Sequence, residues 1–179
     1  TREVSETPPP TQIFAELWKI VESHPTIAVL VKEANRVKFD SDHPSNAKAL
    51  DRVQAANLPE LMLTYEGYTG NLRSTSSSTE QETQWSWILT SGDQRIDEIL
   101  LPLSWALFEC LVAAHPLLLD LSFHGFKFVK KVELVQSKAG ESPLLRQSNI
   151  RGWSTVQSFR TKIVLPTAQL VTNATPPPP

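Results

Sequence analysis

The chain of 179 residues is poor in several things at once: it has one cysteine, six glycines and four histidines, no apolar run of about 20 residues, and a net charge of only −2. Each shortage excludes a class. Cys110 alone cannot close an internal disulfide, and the histidines show no Cys/His spacing of a zinc module. Six glycines leave little material for backbone phosphate cradles, and neither a G-x-x-x-x-G-K loop, a G-x-G-x-x-G run nor a G-x-S-x-G elbow is present. Nucleotide and serine-hydrolase chemistry are therefore not expected. Without a long apolar run there is no expectation of a membrane helix. The first residues lack the basic start and apolar stretch of a secretory signal, which predicts a protein made and assembled in the cytoplasm without a leader.

What is present is enough apolar sequence for one core: 40% of residues are hydrophobic and 8% aromatic, so a single domain is expected. The small net charge hides an asymmetry. Residues 1–119 hold 9 Lys/Arg against 16 Asp/Glu, a balance of −7, whereas residues 120–179 hold 8 against 3, a balance of +5. Such a split can favour head-to-tail contact between copies, line a channel, or simply mark solvated faces. Pro8–Pro10 and Pro176–Pro179 mark both ends. They predict a Pro-rich arm over 1–10, a domain over 11–166 and a Pro-rich extended tail over 167–179.

A first helix is expected from Thr11 as N-cap to His24-Pro25, with Ile13, Phe14, Leu17, Trp18 and Val21 on one face. Residues 27–39 read as irregular or extended, and 45–56 as a short helix. Glu60 to Glu66 alternates as a strand. The Ser/Thr-rich stretch 67–84 then reads as a long mobile loop, returning in a strand over 83–90 with Trp85, Trp87 and Leu89 on one side. The main helix is expected over 94–114, with Pro102 either kinking it or marking its first turn. Its inner stripe is Ile96, Ile99, Leu100, Leu103, Leu107, Cys110, Leu111 and Ala114. A second stripe, Leu101, Trp105, Phe108 and Val112, repeats at i, i+4, i+7 and i+11. One small two-layer domain cannot bury both. The second stripe either lies between sheet and loops or meets another copy, tryptophan and phenylalanine being enriched at interface cores. Two closing strands, 126–135 and 154–165, flank a long polar loop. The sum is an α+β fold: an antiparallel sheet of about four strands with long hairpin loops, the N-terminal and central helices packed on one face.

Few residues suggest chemistry. Cys110 sits on the inner stripe, where a thiol is an apolar filler. His24, His43 and His115 each precede proline and read as punctuation, and His124 stands beside Gly125. Asp40, Asp42 and His43 form a short oxygen-rich cluster, although acids in a surface turn are the commoner meaning. Lys127, Lys130, Lys131, Lys138, Arg146, Arg151, Arg160 and Lys162 make the last third basic, with Phe126, Phe128 and Trp153 interleaved, and a basic face of Lys127, Lys130, Lys131, Arg160 and Lys162 could hold single-stranded nucleic acid. Alternation favours the plainer reading, with Phe126, Phe128, Val132 and Leu134 facing the core opposite Lys127 and Lys131.

From Ile13 to Leu165 the order of elements resembles the tail terminator, or tail-completion, proteins of tailed bacteriophages. The resemblance rests on the amphipathic first helix, the approach through Asn57-Leu58-Pro59-Glu60, the strand LMLTYEG, the long hairpin, the strand TQWSWIL, the central helix, and the closing strands KFVKKVEL and SFRTKIVL. It implies a structural virion protein and no enzyme, with no catalytic, cofactor or metal residues. Such a protein is assembled in the host cytoplasm as a hexameric ring on the head-proximal end of the tail tube. Its partners would be the tube protein and the head connector, with DNA passing through the lumen and no membrane involved. Leu101, Trp105, Phe108 and Val112 would then pack between subunits. A nucleic-acid-binding module and a small metal-dependent hydrolase are the competing readings.

Overall fold

The computed structural model describes residues 7–37, 58–92, 96–141, 152–176 and 178. Helix α1 spans Pro9–Ser23 and starts two residues before the expected Thr11 cap. Pro9 and Pro10 occupy its first two positions, where a fixed φ suits the helix and the missing N–H would have had no partner anyway. Pro9 and Pro10 thus belong to the helix, whereas Pro8 just before it is extended, as expected. Ile13, Leu17, Trp18, Ile20 and Val21 are buried. His24 ends α1 in an extended conformation, and its side chain accepts a hydrogen bond from the Thr26 amide that opens α2 (Pro25–Leu30). Sequence periodicity missed α2 because its six residues give fewer than two turns. Arg36 caps it, donating through Nε and Nη2 to the Val31 carbonyl at 3.1 and 2.9 Å. The short helix expected over 45–56 lies outside the described residues.

The main sheet has five strands in the order β1 (Arg36–Val37), β2 (Glu60–Ser74), β3 (Ser78–Gly92), β7 (Gly152–Pro166), β6 (Val129–Glu141). Only the short β1 is parallel to its neighbour. Since β3 and β6 both run antiparallel to β7, they are parallel to each other, and α3 (Leu101–Leu119) crosses between them. A separate two-stranded ribbon, β4 (Ser122–Phe123) with β5 (Phe126–Lys127), turns through His124 and Gly125 at φ 48° and 82°, the positive pair that a tight two-residue hairpin requires. The architecture is α+β, as the sequence predicts, with the helices on one face.

The predicted loop over 67–84 is instead two 15-residue strands about 50 Å long, joined by a turn at Thr75–Ser78. The Thr75 hydroxyl accepts from the amides of Ser77 and Ser78 at 3.3 and 3.1 Å, so the Ser/Thr run serves the turn itself. Helix α4 (Thr167–Ala174) replaces the expected extended tail and is tied to this tip: the Thr167 hydroxyl donates to the Thr75 carbonyl at 2.6 Å.

Trp85, Trp87 and Leu89 share the helix-facing side of β3, as predicted, and meet Phe159 and Ile163 of β7 in the core. Trp87 lies 4.8 Å from Phe159 between ring centres, and Trp85 lies 5.1 Å from Tyr65. Thr83 and Thr161 are fully buried cross-strand partners whose hydroxyls bond each other and accept from Trp85 Nε1 at 3.2 and 3.3 Å. Thr161→Val keeps the shape and removes one member of this buried triad. We expect a loss of about 1–3 kcal/mol of unfolding free energy in urea with an unchanged slope; wild-type stability would show that the triad contributes nothing.

Candidate assembly surface

Helix α3 begins at Leu101 with Pro102 in its first turn, preceded by one wide turn over Ile96–Leu100. It runs on to Leu119 through Pro116, five residues beyond the expected end, so His115 lies inside the helix and does not punctuate it. The two stripes separate as helical spacing demands. Leu103, Ala106, Leu107, Cys110, Leu111, Ala114 and Leu118 are buried against α1 and the sheet. Polar contacts hold the same side down: Gln157 Nε2 donates to the Ser104 carbonyl at 3.0 Å, and the Ser104 hydroxyl donates to that of Thr155 at 3.3 Å.

The second stripe faces outward. Leu101, Trp105, Phe108 and Val112 are 58%, 62%, 40% and 59% exposed. Trp105 and Phe108 lie 5.2 Å apart between ring centres, so each shields the other in part while the outer faces remain in water. Burial between sheet and loops, one of the two alternatives the sequence leaves open, is not what the described residues show. Beside the stripe, Glu109 approaches His24 Nε2 at 3.7 Å, linking α3 to the α1–α2 corner.

The five basic candidates do not form one basic face. Lys127 is on the β4–β5 ribbon, 3.2 Å from Asp120. On the side of the sheet away from the helices, Arg160 meets Glu82 and Lys162 meets Glu80, each at 3.3 Å, and Lys131 meets Glu133 at 3.4 Å. Lys130 is exposed at an irregularity in β6, between Val129 and Lys131. The acidic first part and the basic last part of the chain therefore meet inside one copy, as neighbouring strands β3 and β7. Parity also fails for Phe126: it is 43% exposed on the ribbon, while Phe128 is fully buried. The break between β5 and β6 places the two rings in different surroundings.

Cys110 is 1% exposed, and its thiol is pushed up to about 12, by burial first and then by the charge of Glu109. A thiol so protonated is a packing group and no nucleophile. Among the described residues no three His, Cys, Asp or Glu side chains gather as a metal site; Asp40, Asp42 and His43 lie outside them. Among the described residues, too, no helix is long and apolar enough to cross a membrane.

Sequence reasoning missed Tyr68 and Leu72, exposed on β2 at 62% and 64%. Gly67, at φ 93°, sits at a bulge between Tyr65 and Gly67 that shifts the alternation, so both Tyr65 and Tyr68 face the helix side. Their rings meet edge to face at 6.3 Å. Burial, and then charge and hydrogen bonding from Tyr68, raise the pKa of Tyr65. The signal that would have found the pair is a glycine in the middle of an aromatic strand.

In comparisons with known proteins, no protein-family model matches the chain, and no curated protein matches it significantly.

Proposed function

We propose that this chain is a self-assembling structural subunit, and specifically a ring-forming tail-completion protein of a tailed phage that ends the tail tube and joins it to the head connector. The observation that carries the reading is the outward stripe Leu101, Trp105, Phe108 and Val112, four large apolar side chains side by side in water on a helix whose other face already fills the core. Contiguous exposed apolar surface of this kind marks an interaction site. A closed ring provides the cover if the stripe of one copy meets a different face of the next. The order helix, two long strands, helix, two long strands is in keeping with the resemblance noted above, and the β2–β3 hairpin is long enough to reach a protein above or below the ring.

Interleaving of Lys131, Arg160 and Lys162 with Glu80, Glu82 and Glu133 weighs against the nucleic-acid reading, because a phosphate backbone would meet acids along with the cations. The test is native mass. The wild-type chain should scatter light as a multimer of about six 20.0 kDa copies, and Trp105→Ser with Phe108→Ser should reduce it to the single copy with an unchanged circular dichroism spectrum. A solitary wild-type chain at high concentration, or a double variant of unaltered mass, would overturn the proposal.

A further inference from the structure

Strand β6 is an edge of the main sheet: β7 pairs with one side of it, and among the described residues no strand pairs with the other. Residues 133–139 are exposed, so Leu134 and Val135 leave apolar surface in water beside that edge. An edge of 13 residues offers a row of backbone N–H and C=O groups to another strand, and lysines and bulges are the usual guards against it. Both are here, as Lys130, Lys131 and Lys138 and as irregularities at Lys130 and Val135. A lysine repels an incoming strand only where it would meet another cation. What β6 refuses and what it accepts is therefore a question of register.

The bulge restricts the register. Leu134 pairs with Phe159 and Gln136 with Ser158, so Val135 is an extra residue and the alternation reverses beyond it. Before the bulge, Lys131 and Glu133 lie on the side away from the helices, opposite Lys162 and Arg160, and Val132 and Leu134 lie on the helix side, opposite Thr161 and Phe159. After it, Lys138 lies on the far side opposite Val156, and Ser137 and Ala139 lie on the helix side opposite Gln157 and Thr155, which bond to α3. Suppose that residues 131–134 pair antiparallel, about a twofold axis, with the run beyond the bulge in a second copy. Only two registers keep every paired side chain on its own side of the sheet, and these also set outward-pointing backbone groups opposite one another. One of them brings Lys131 against Lys138 of the second copy, twice over. The other brings Glu133 against Lys138 of the second copy, again twice, with Leu134 opposite Ser137 and Val132 opposite Ala139. Charge decides between them. In the second register the straight runs 131–134 and 137–140 face each other on both sides of the axis, and the bulges lie on it.

We propose that the outer edge of β6 pairs with β6 of a second copy in the register that sets Glu133 against Lys138, so that the lysines which repel other strands select the protein's own. A twofold contact cannot close a ring, so this one is additional to the α3 stripe and does not rest on it. A ladder this short buries little apolar surface, so half-pairing is expected only at about 0.1 mM. To test it, the full chain carrying Trp105→Ser and Phe108→Ser, whose stripe contact is gone, is followed by sedimentation equilibrium from about 0.01 to about 1 mM. Its mass should climb from 20.0 kDa towards twice that value. Adding Glu133→Lys or Lys138→Glu alone should weaken pairing at least about tenfold, because like charges then meet twice. Both changes in one chain should restore it, and so should mixing the two single variants, whose edges are complementary. Glu133 also meets Lys131 within its own strand, but loss of that contact would not be repaired by a change at Lys138. A folded chain that stays single throughout would overturn the proposal and leave the lysines and bulges as guards alone. Pairing indifferent to the single changes, or restored neither by combination nor by mixing, would overturn it as well. The two proposals fail separately: no pairing of the variant with the wild-type multimer intact removes only the β6 contact, whereas a wild-type chain that forms nothing larger than the charge-dependent pair removes only the ring.

Discussion

Trp87→Ala should cost about 3–5 kcal/mol of unfolding free energy, whereas Trp105→Ala, the same change on the outer side of α3, should shift the stability of the dissociated chain by no more than about 0.5 kcal/mol. Trp87 is fully buried, packs its ring at a tilt against Phe159 at 4.8 Å and belongs to the main core, so truncation forfeits a large transfer term and leaves a cavity the strands cannot close. Its Nε1 is buried with no hydrogen-bond partner among the described residues, so Trp87→Phe should lose distinctly less than Trp87→Ala. Trp105 keeps 62% of its surface in water. Urea denaturation of the two alanine variants at low protein concentration, where any multimer is dissociated, measures both. If Trp105→Ala were as damaging as Trp87→Ala, the outer stripe would be part of the fold of one copy, and the argument for assembly would lose its basis.

This contrast separates two kinds of apolar residue that composition alone cannot. Helical spacing separates the two stripes of α3, because a continuous helix keeps its period over five turns, but it misses Ala106 and Leu118 on the inner one and assigns to it Ile96, Ile99 and Leu100, which precede the helix in the wide turn. It also implies that one stripe is surplus, since a two-layer domain offers a helix only one apolar neighbour. Alternation likewise places Trp85, Trp87 and Leu89 on one side of β3, where a sheet covered on one face enforces a period of two.

Where the period is absent, the sequence is silent. The outer half of β3 is mostly Ser, Thr, Glu and Gln standing partly in water, and that of β2 mixes Gly, Thr, Asn, Arg and Ser with Tyr68 and Leu72, so no apolar rhythm distinguishes them from a loop. Pairing with β7 along its whole length keeps β3 extended there regardless. The bulge at Gly67 shifts the register and hides the relation between Tyr65 and Tyr68. Strand β6 is exposed at most of its positions and irregular at two, so its lysines looked like one basic face. Which acids stand beside them is a matter of strand order, β3 next to β7 next to β6, and long-range pairing of that kind leaves no local trace. The apolar groove near the hairpin tip is invisible for the same reason: its walls come from α1, from the β2–β3 hairpin and from β7 with α4, three stretches distant in sequence.

Alkaline destabilisation should be traceable to Cys110. The thiol moves from its ordinary 9.0 to about 12 in the folded chain, chiefly because burial disfavours the thiolate and secondarily because Glu109 is near. In the unfolded chain it ionises at its ordinary pH. The stabilisation is therefore fully present below about pH 9 and is lost as pH rises from there towards 12, since the unfolded state releases its proton first. At pH 10.5 the difference amounts to about 2 kcal/mol, from 1.36 kcal/mol for each unit of separation. The comparison is with Cys110→Ala, which retains every other ionisable group of the chain. Urea denaturation at pH 7 and pH 10.5 should show the wild type losing about 2 kcal/mol more than the variant across that interval. Iodoacetamide at pH 8 should label the native chain at least about a thousandfold more slowly than the denatured one, because the thiol reacts only on opening and opening costs several kcal/mol. Rapid labelling of the folded protein, or equal pH sensitivity of the two chains, would place Cys110 at an accessible position and return a reactive thiol to consideration on the helix that carries the exposed apolar stripe.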